Sequence, residues 1–287
     1  MSTKKKKTVL ISLIIVFGIT LVLAVTYLVL LKGCAFSNKK YIQNLQSSVA
    51  PDLPMGTTNP DGVYVVEPDV ETYPQGDSGG NGGNGGYTQQ PVENKVDFAT
   101  LQQQNPEAYS WIYIPDTQIS LPVMQSAEDD NFYLDHDVNK NYSFPGAIYS
   151  QSMNKKDYSD RVTVLYGHNM ANGSMFANLH YFSDRNFFDT HKYIYIYTPT
   201  RKLTYEVVVA QDYDDKHILN SYDFNDDKVF QEWLDNAKNP QYSLTYNVRD
   251  EVRLDLNSKM LVLSTCQNNN IGRYIVQGVL IKDEPTQ

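Results

Sequence analysis

Three residues with the chemistry of nucleophilic catalysis stand at the borders of apolar runs. Cys266, one of 2 cysteines in the chain, ends the run "LVLSTC", and Arg273 opens the run "RYIVQGVLI". His168 follows the run "VTVLY" after a single glycine. A thiolate is the reactive form of cysteine and is favoured by a nearby cation. Arginine can also donate to the oxyanion of an attacked carbonyl, and histidine can act as a general acid or base. Together, these residues could attack a carbonyl.

Alternation along a strand decides which side chains accompany the cysteine. In "LVLSTC", Ser264 shares a face with Cys266, and Thr265 points to the opposite face. The loop 267–272 then leads to Arg273. If the two apolar runs form an antiparallel hairpin, the thiol and the guanidinium lie at the same end of it.

Each of these residues also has an ordinary structural interpretation. A lone cysteine at a strand end is most often a small core residue, and an arginine at a strand start is most often solvated. His168 is set apart only by its place between a strand and a loop, where catalytic residues are common. The remaining histidines have no distinguishing context: His136, His180, His191 and His217. The residue types alone leave catalysis and a structural role both open.

Most of the chain from residue 93 to residue 287 reads as short strands. Enrichment in β-branched and aromatic residues predicts strands at 111–114, 119–123, 147–149, 162–166, 193–198, 203–211, 260–266 and 273–281. Short strands separated by loops are typical of a barrel or a sandwich. We therefore expect one mainly β domain over 93–287.

A few helices interrupt this pattern. The segment "FNDDKVFQEWLDNAKNP" has apolar residues at helical spacing, with Asn225 as the expected N-cap and Pro240 after its end. Its aromatic stripe predicts packing on the sheet. Nearer the N-terminus, Asp97 and Asn105 are expected N-caps of two short helices, with Pro106 in the first turn of the second.

The N-terminus predicts a membrane anchor. Residues 1–7 form a basic tail, and residues 8–31 carry no charge. A run of this length can cross a bilayer as a helix, and the lysines keep the tail cytoplasmic. We therefore expect a single-pass membrane protein with its catalytic domain outside the cell. A cleaved signal peptide and a lipoprotein modified at Cys34 are the alternatives.

Residues 32–92 and the overall charge restrict the remaining possibilities. The glycine-rich stretch "GDSGGNGGNGGYTQQ" predicts a flexible stalk over 32–92. A net charge of −9 argues against nucleic acid as a partner. We find no spacing typical of metal ligands and expect no metal and no cofactor. Asp212, Asp214 and Asp215 are interpreted as a solvated loop rather than a calcium site.

The flanks of the three candidate residues resemble those of one known family. "YGHNM", "GSMFANL", "LSTC" and an arginine opening the last strand, in that order, resemble the sortases. These are membrane-anchored cysteine transpeptidases of Gram-positive bacteria. "VDFATLQQQNPEAYSWIYIP", "NFYLDHD" and the long helix before the cysteine strand are similar to class B. The resemblance covers residues 96–281. It implies an eight-stranded β-barrel with N-terminal helices and one long helix before the cysteine strand.

The resemblance also implies roles for particular residues. His168, Cys266 and Arg273 match the three catalytic residues of the family. The resemblance further suggests four residues at the substrate site: Ser264, Thr265, Asn169 and Tyr166. The sequence departs from the TLxTC pattern of the family at Val262, where the first threonine is expected. That side chain is expected to lie away from the reaction.

The implied reaction is acyl transfer in two steps. Cys266 attacks the carbonyl after the threonine of a sorting signal of the LPxTG or NPxTN type and forms a thioester. An amine of a peptidoglycan cross-bridge, of lipid II or of a pilin lysine then takes the acyl group. The implied partners are surface proteins that carry such a signal, and the membrane through the N-terminal helix.

Other classes of protein with a catalytic or structural cysteine have different sequence features. Papain-like and NlpC-type peptidases place the cysteine before the histidine, whereas His168 precedes Cys266 here. L,D-transpeptidases have a glycine directly before the cysteine, where Thr265 stands. A surface adhesin or solute-binding barrel with a structural cysteine is the non-enzymatic alternative. It predicts that Cys266→Ala leaves the function intact.

Overall fold

The computed structural model describes residues 3–56, 90–241, 243–267 and 272–287. The glycine-rich part of the predicted stalk, residues 57–89, lies outside the described residues. So do residues 268–271 of the loop that joins the cysteine strand to the last strand.

An eight-stranded barrel forms the centre of the molecule, as expected. The described residues contain nine strands: β1 (Ala108–Tyr113), β2 (Ser120–Met124), β3 (Ile148–Tyr149), β4 (Val162–Tyr166), β5 (Tyr193–Thr198), β6 (Arg201–Tyr213), β7 (Tyr246–Val248), β8 (Met260–Cys266) and β9 (Arg273–Pro285). Their order is β5-β1-β2-β3-β4-β8-β9-β6-β7, and β5 also pairs with β6. This additional pairing closes eight strands into a ring, and β7 extends the sheet beside β6.

Two strand pairings determine where the candidate residues emerge from the sheet. β8 and β9 form an antiparallel hairpin in which Cys266 pairs with Arg273, as the sequence predicts. β4 runs parallel to β8, with Tyr166 beside Ser264. Since parallel strands end at the same edge of a sheet, the residues that follow β4 and β8 emerge together.

The two faces of β8 contribute to different cores. Leu261 and Leu263 belong to the large cluster that includes Trp111 inside the barrel. Val262 belongs to a second cluster on the outer face, which includes Trp233 of the long helix. The alternation predicted for this strand is therefore present, and Cys266 follows the outer-facing series.

The long helix, α5 (Asp227–Lys238), packs its aromatic stripe on the outer face of the barrel, as expected. Its N-cap is not Asn225 but the next residue. The Asp226 carboxylate accepts from the backbone N–H groups of Lys228 and Val229. A carboxylate at this position also interacts favourably with the positive end of the helix, which explains the shift.

The short helices differ in part from the expectation. α2 (Phe98–Gln104) begins at the predicted N-cap, because the Asp97 side chain accepts from the backbone of Thr100. Asn105 instead ends α2, and the chain turns directly into β1. The predicted second helix beginning near Pro106 is therefore absent from the described structure. The other helical segments are the 3₁₀ helices Phe132–Leu134 and Ala177–Ser183, α3 (Arg185–Thr190) and α4 (Ile218–Ser221).

The prediction of a transmembrane anchor over residues 8–31 is wrong. A helix that crosses a bilayer needs about 20 predominantly apolar residues. Among the described residues, no helix is both long enough and apolar enough to do so.

The end of the first helix, α1 (Thr3–Val49), packs on the barrel domain. Ile42, Leu45 and Val49 are buried in the interior cluster and follow one another at helical spacing. The carbonyl of Leu53 accepts from the Ser120 hydroxyl of β2 at 2.7 Å. Regular packing thus continues into the range 32–92 that the sequence analysis assigned to the stalk.

Candidate active site

The hairpin of β8 and β9 brings the candidate nucleophile and the candidate cation into contact. Arg273 Nη1 donates to Cys266 Sγ at 3.0 Å. Cys266 is a free, partly exposed cysteine and Arg273 is exposed. The hairpin therefore places beside the thiol the cation that the sequence predicts. Among the described residues, Cys266 is the one side-chain hydrogen-bond partner of Arg273, and the remaining N–H groups of the planar fork can donate to a substrate oxygen.

His168 leaves the barrel at the same edge as Cys266. It lies two positions after Tyr166 of β4, and Cys266 lies two positions after Ser264, the residue that pairs with Tyr166. The Gly167 N–H continues the ladder by donating to the Ser264 carbonyl at 3.2 Å. The parallel register therefore presents the histidine and the cysteine side by side.

The ring of His168 is oriented by the segment that follows β2. Its Nε2 lies 2.8 Å from the carbonyl oxygen of Leu134, and its ring stacks on Phe144 with centroids 5.6 Å apart. Since a carbonyl only accepts, Nε2 carries a proton. Within the described part of the chain, no hydrogen bond joins His168 to Cys266. The two groups share an edge but are held separately.

A glycine is required at position 167 because a side chain would not fit there, and not because the backbone adopts an unusual conformation. A Cβ at this position would lie 2.5 Å from Ile148 Cδ1 and 2.8 Å from Phe176 Cδ2. Only a residue without a side chain lets the end of β4 approach these two side chains this closely. The approach fixes the point at which His168 leaves the strand.

The four predicted substrate residues lie in different surroundings. Ser264 is buried and belongs to the same face of β8 as Cys266. Tyr166 stands beside it in β4, with its ring 5.5 Å from that of Tyr149. Thr265 is buried on the opposite face of β8. The side chain of Asn169 points back to the protein and donates to the Cys266 carbonyl at 3.2 Å.

Sequence reasoning missed three aromatic residues around the site. His180 Nε2 lies 2.9 Å from the Cys266 carbonyl oxygen, and its ring stacks on Tyr274 with centroids 4.6 Å apart. Burial raises the pKa of Tyr149 to about 12, although the nearby Arg273 acts in the opposite direction. Tyr149 is thus protonated at neutral pH. No local pattern distinguished these residues, because each reaches the site through tertiary packing.

Two cavities beside the barrel are lined by residues other than Cys266. One, of about 350 Å³, is lined by Arg161, Val162 and Phe224 among others, near the start of β4. The other, of about 300 Å³, is lined by Tyr246, Tyr274 and their neighbours. Cys266 lines neither of them. The exposed edge where Cys266 meets Arg273 is therefore the place where the chemistry of the side chains converges.

The acidic segment at the end of β6 has neighbouring side chains as partners, and Asp212 still belongs to the strand rather than to a loop. Asp212 accepts from the Thr245 hydroxyl, and Asp214 pairs with Lys216 at 2.8 Å. Within the described ranges, no group of three or more histidine, cysteine, aspartate or glutamate residues could hold a metal ion.

Comparison with known proteins agrees with this geometry. A sortase domain model matches residues 112–281. Sortase B of Listeria monocytogenes is 30% identical over 196 residues, covering 66% of this chain and 76% of that protein. A mutant form of Clostridium perfringens sortase B superposes with a TM-score of 0.58 at 31% identity, covering 65% of this chain and 87% of that chain. Sortase B of Bacillus anthracis gives a TM-score of 0.62 at 26% identity, covering 86% and 97%. A closed barrel with a cysteine and an arginine paired at its edge, together with these relatives, shows that the chain belongs to the sortase family, as a class B cysteine transpeptidase.

Proposed function

We propose that this protein cleaves a C-terminal sorting signal of the LPxTG or NPxTN type after its threonine. It then joins the carboxyl-terminal threonine of the cleaved protein to an amine of the cell wall, carried by a peptidoglycan cross-bridge or by lipid II. The observation that supports this proposal is the 3.0 Å contact between Arg273 Nη1 and Cys266 Sγ at an exposed barrel edge. The same contact argues against a purely structural cysteine, because Cys266 is partly exposed and faces a cation rather than a core.

In the first step, the Cys266 thiolate attacks the threonine carbonyl carbon. A C–S bond forms, and the carbonyl electrons move to an oxyanion. Arg273 stabilises this oxyanion through its guanidinium fork. The C–N bond then breaks, and the departing amine takes a proton from His168. The product is a thioester between the threonine and Cys266.

In the second step, the acceptor amine attacks the thioester carbon and gives up a proton to His168. The C–S bond breaks and the thiolate is regenerated beside Arg273. His168 meets the Leu134 carbonyl through Nε2. As the acid of the first step, His168 must carry a second proton at Nδ1, which it gives to the departing amine while Nε2 stays bonded to Leu134. As the base of the second step, the deprotonated Nδ1 takes the proton of the acceptor amine. The imidazole can serve as acid in one step and as base in the next.

The substrate groove is proposed to cross the carboxyl ends of β4 and β8, beyond the part of their outer face that α5 covers. Ser264 and Tyr166 lie beside one another on these strands, next to the thiol. Thr265 and Asn169 are proposed to support the site from behind, since one faces the opposite side of β8 and the other binds the Cys266 carbonyl. We propose residues 93–287 as the catalytic domain.

The test is intact-mass spectrometry of the full chain with a panel of LPxTG- and NPxTN-type peptides. We expect the mass of the N-terminal peptide fragment to be added to the protein. The adduct is expected to be absent in Cys266→Ala and to be discharged by an added amine such as triglycine. A folded chain whose Cys266 reacts with iodoacetamide but forms no adduct with any peptide contradicts the proposed substrate class.

A further inference from the structure

The backbone carbonyl of Cys266 is held by two side chains that the mechanism does not use. His180 Nε2 lies 2.9 Å from its oxygen, and Asn169 Nδ2 donates to it at 3.2 Å. The carbonyl two residues earlier in β8, that of Ser264, accepts from the backbone N–H of Gly167. The parallel ladder between β4 and β8 therefore ends at Gly167, and side-chain donors continue it by one further step.

His180 is held in the protonation state that this contact requires. Nε2 has two contacts, at 2.9 Å to the Cys266 carbonyl oxygen and at 3.2 Å to Asn169 Nδ2. Because the shorter contact is to a carbonyl, which only accepts, we assign the proton to Nε2. Burial lowers the pKa of His180 below its usual range, while the bond to the Cys266 carbonyl and the charge of Asp212 act in the opposite direction. The ring is thus neutral at neutral pH, with its single proton on Nε2. The ring of Tyr274, stacked on that of His180, restrains its orientation.

Asn169 connects this contact to the candidate acid and base. It directly follows His168 in the sequence, and its amide binds the peptide group of Cys266. The two donors therefore tie the loop that carries His168 to the end of the strand that carries Cys266. Among the described residues, no hydrogen bond joins His168 directly to Cys266, because the His168 ring is bonded to the Leu134 carbonyl.

We propose that His180, together with Asn169, is a positioning residue that sets the place of Cys266 relative to His168. This inference rests on the proposed function, because its consequence is the rate of acyl transfer. Within the described ranges, the His180 ring has no hydrogen bond to the Cys266 thiol; it meets the Cys266 carbonyl oxygen and the Asn169 amide. It acts only through the peptide group of Cys266. A misplacement of about 1 Å in reacting groups can lower a rate about 100-fold.

Two variants separate the hydrogen bond from the packing. His180→Phe keeps an aromatic ring against Tyr274 but has no donor, whereas His180→Gln keeps a donor but loses the ring. We expect His180→Phe to lower the kcat of acyl-enzyme formation about 10- to 100-fold, with KM changed less than about twofold. We expect His180→Gln to retain the rate within about threefold of the unchanged chain. A wild-type rate in His180→Phe, or equal losses in both variants, overturns the proposal.

A second measurement is independent of the peptide reaction. In ¹⁵N-histidine NMR of the full chain at pH 7, His180 is expected as the neutral Nε2–H tautomer, assigned by its loss in His180→Gln. A protonated Nδ1 at this pH overturns the inference. If the unchanged chain forms no peptide adduct, the proposed function fails, and the iodoacetamide alkylation rate of Cys266 becomes the readout. A change of this rate in His180→Phe but not in His180→Gln then supports the positioning role, and equal rates refute it.

Discussion

Arg273 is expected to act at two stages of the reaction, first on the attacking thiol of Cys266 and then on the oxyanion that the attack produces. Substitutions of Arg273 can separate these two effects. Its contact with the thiol is solvent-exposed, and exposed charge pairs contribute about 0–1 kcal/mol. At 25 °C this corresponds to at most about a fivefold change in the rate at which an alkylating reagent modifies Cys266. Loss of one donor to an oxyanion lowers the rate about 10²- to 10³-fold. We therefore expect Arg273→Ala to lower kcat/KM for acylation about 10³-fold.

Arg273→Lys is the matched variant, because it keeps the charge and removes the fork of donors. We expect a fall of about 10²-fold in the acylation rate and a nearly unchanged alkylation rate of Cys266. The assay is single-turnover acylation with a sorting-signal peptide, quenched and measured by intact mass. Alkylation of Cys266 by iodoacetamide, which forms no oxyanion, serves as the control.

Two results would refute this reasoning. Equal losses of acylation and alkylation in Arg273→Ala would mean that Arg273 acts on the thiolate alone. Unchanged acylation in Arg273→Lys would mean that the planar fork is not needed. The free energy of unfolding is expected to stay within about 0.5 kcal/mol in both variants, because the side chain is exposed.

Three further predictions concern stability. Gly167→Ala is expected to destabilise the fold by about 1–3 kcal/mol in urea unfolding, because its Cβ would meet Ile148 Cδ1 at 2.5 Å, and Ile148→Val, which removes that atom, should recover part of the loss. Asp226→Ala is expected to cost about 1 kcal/mol through the lost N-cap, and Asn225→Ala much less. The pKa of His180 is lowered from 6.5 in the folded chain. As the pH falls, the unfolded chain therefore takes up a proton at His180 before the folded chain does. The free energy of unfolding of the unchanged chain, minus that of His180→Phe, should therefore be largest above pH 6.5 and should decrease as the pH falls below 6.5.

Each stability prediction has a contradicting result. A wild-type midpoint for Gly167→Ala would mean that the neighbours move aside at no cost. Equal effects of Asp226→Ala and Asn225→Ala would contradict the observed cap. For His180, the difference in unfolding free energy between the two chains would be measured at pH 7.5, 6.5 and 5.5, and a constant difference contradicts the stated direction.

The strands were predictable where burial alternates or apolar runs are long. All eight strands of the closed barrel were predicted, because β-branched and aromatic residues fill their buried positions. β7 was missed, since its three residues are exposed or only partly buried and carry no pattern. The long helix α5 was predicted from its apolar spacing, but two adjacent residues could cap it. The choice of Asp226 depends on the path of the preceding loop.

Local sequence patterns do not predict how the N-terminal region packs. The uncharged run over 8–31 predicted a membrane anchor, which the described structure contradicts. The polar composition after it predicted a stalk, yet Ile42, Leu45 and Val49 are buried on the barrel domain. Burial of this kind depends on a partner surface, and the partner is formed by residues far along the chain.

The sequence by itself determined the hairpin that joins Cys266 to Arg273, because both residues border one short loop between two strands. It also determined the alternation that separates the thiol from Thr265. Only the tertiary structure decided what orients the histidines. His168 meets a carbonyl 34 residues away, and His180 meets one 86 residues away. Such contacts depend on the closure of the barrel and the parallel pairing of β4 with β8, and no local spacing specifies which carbonyl lies opposite a given ring.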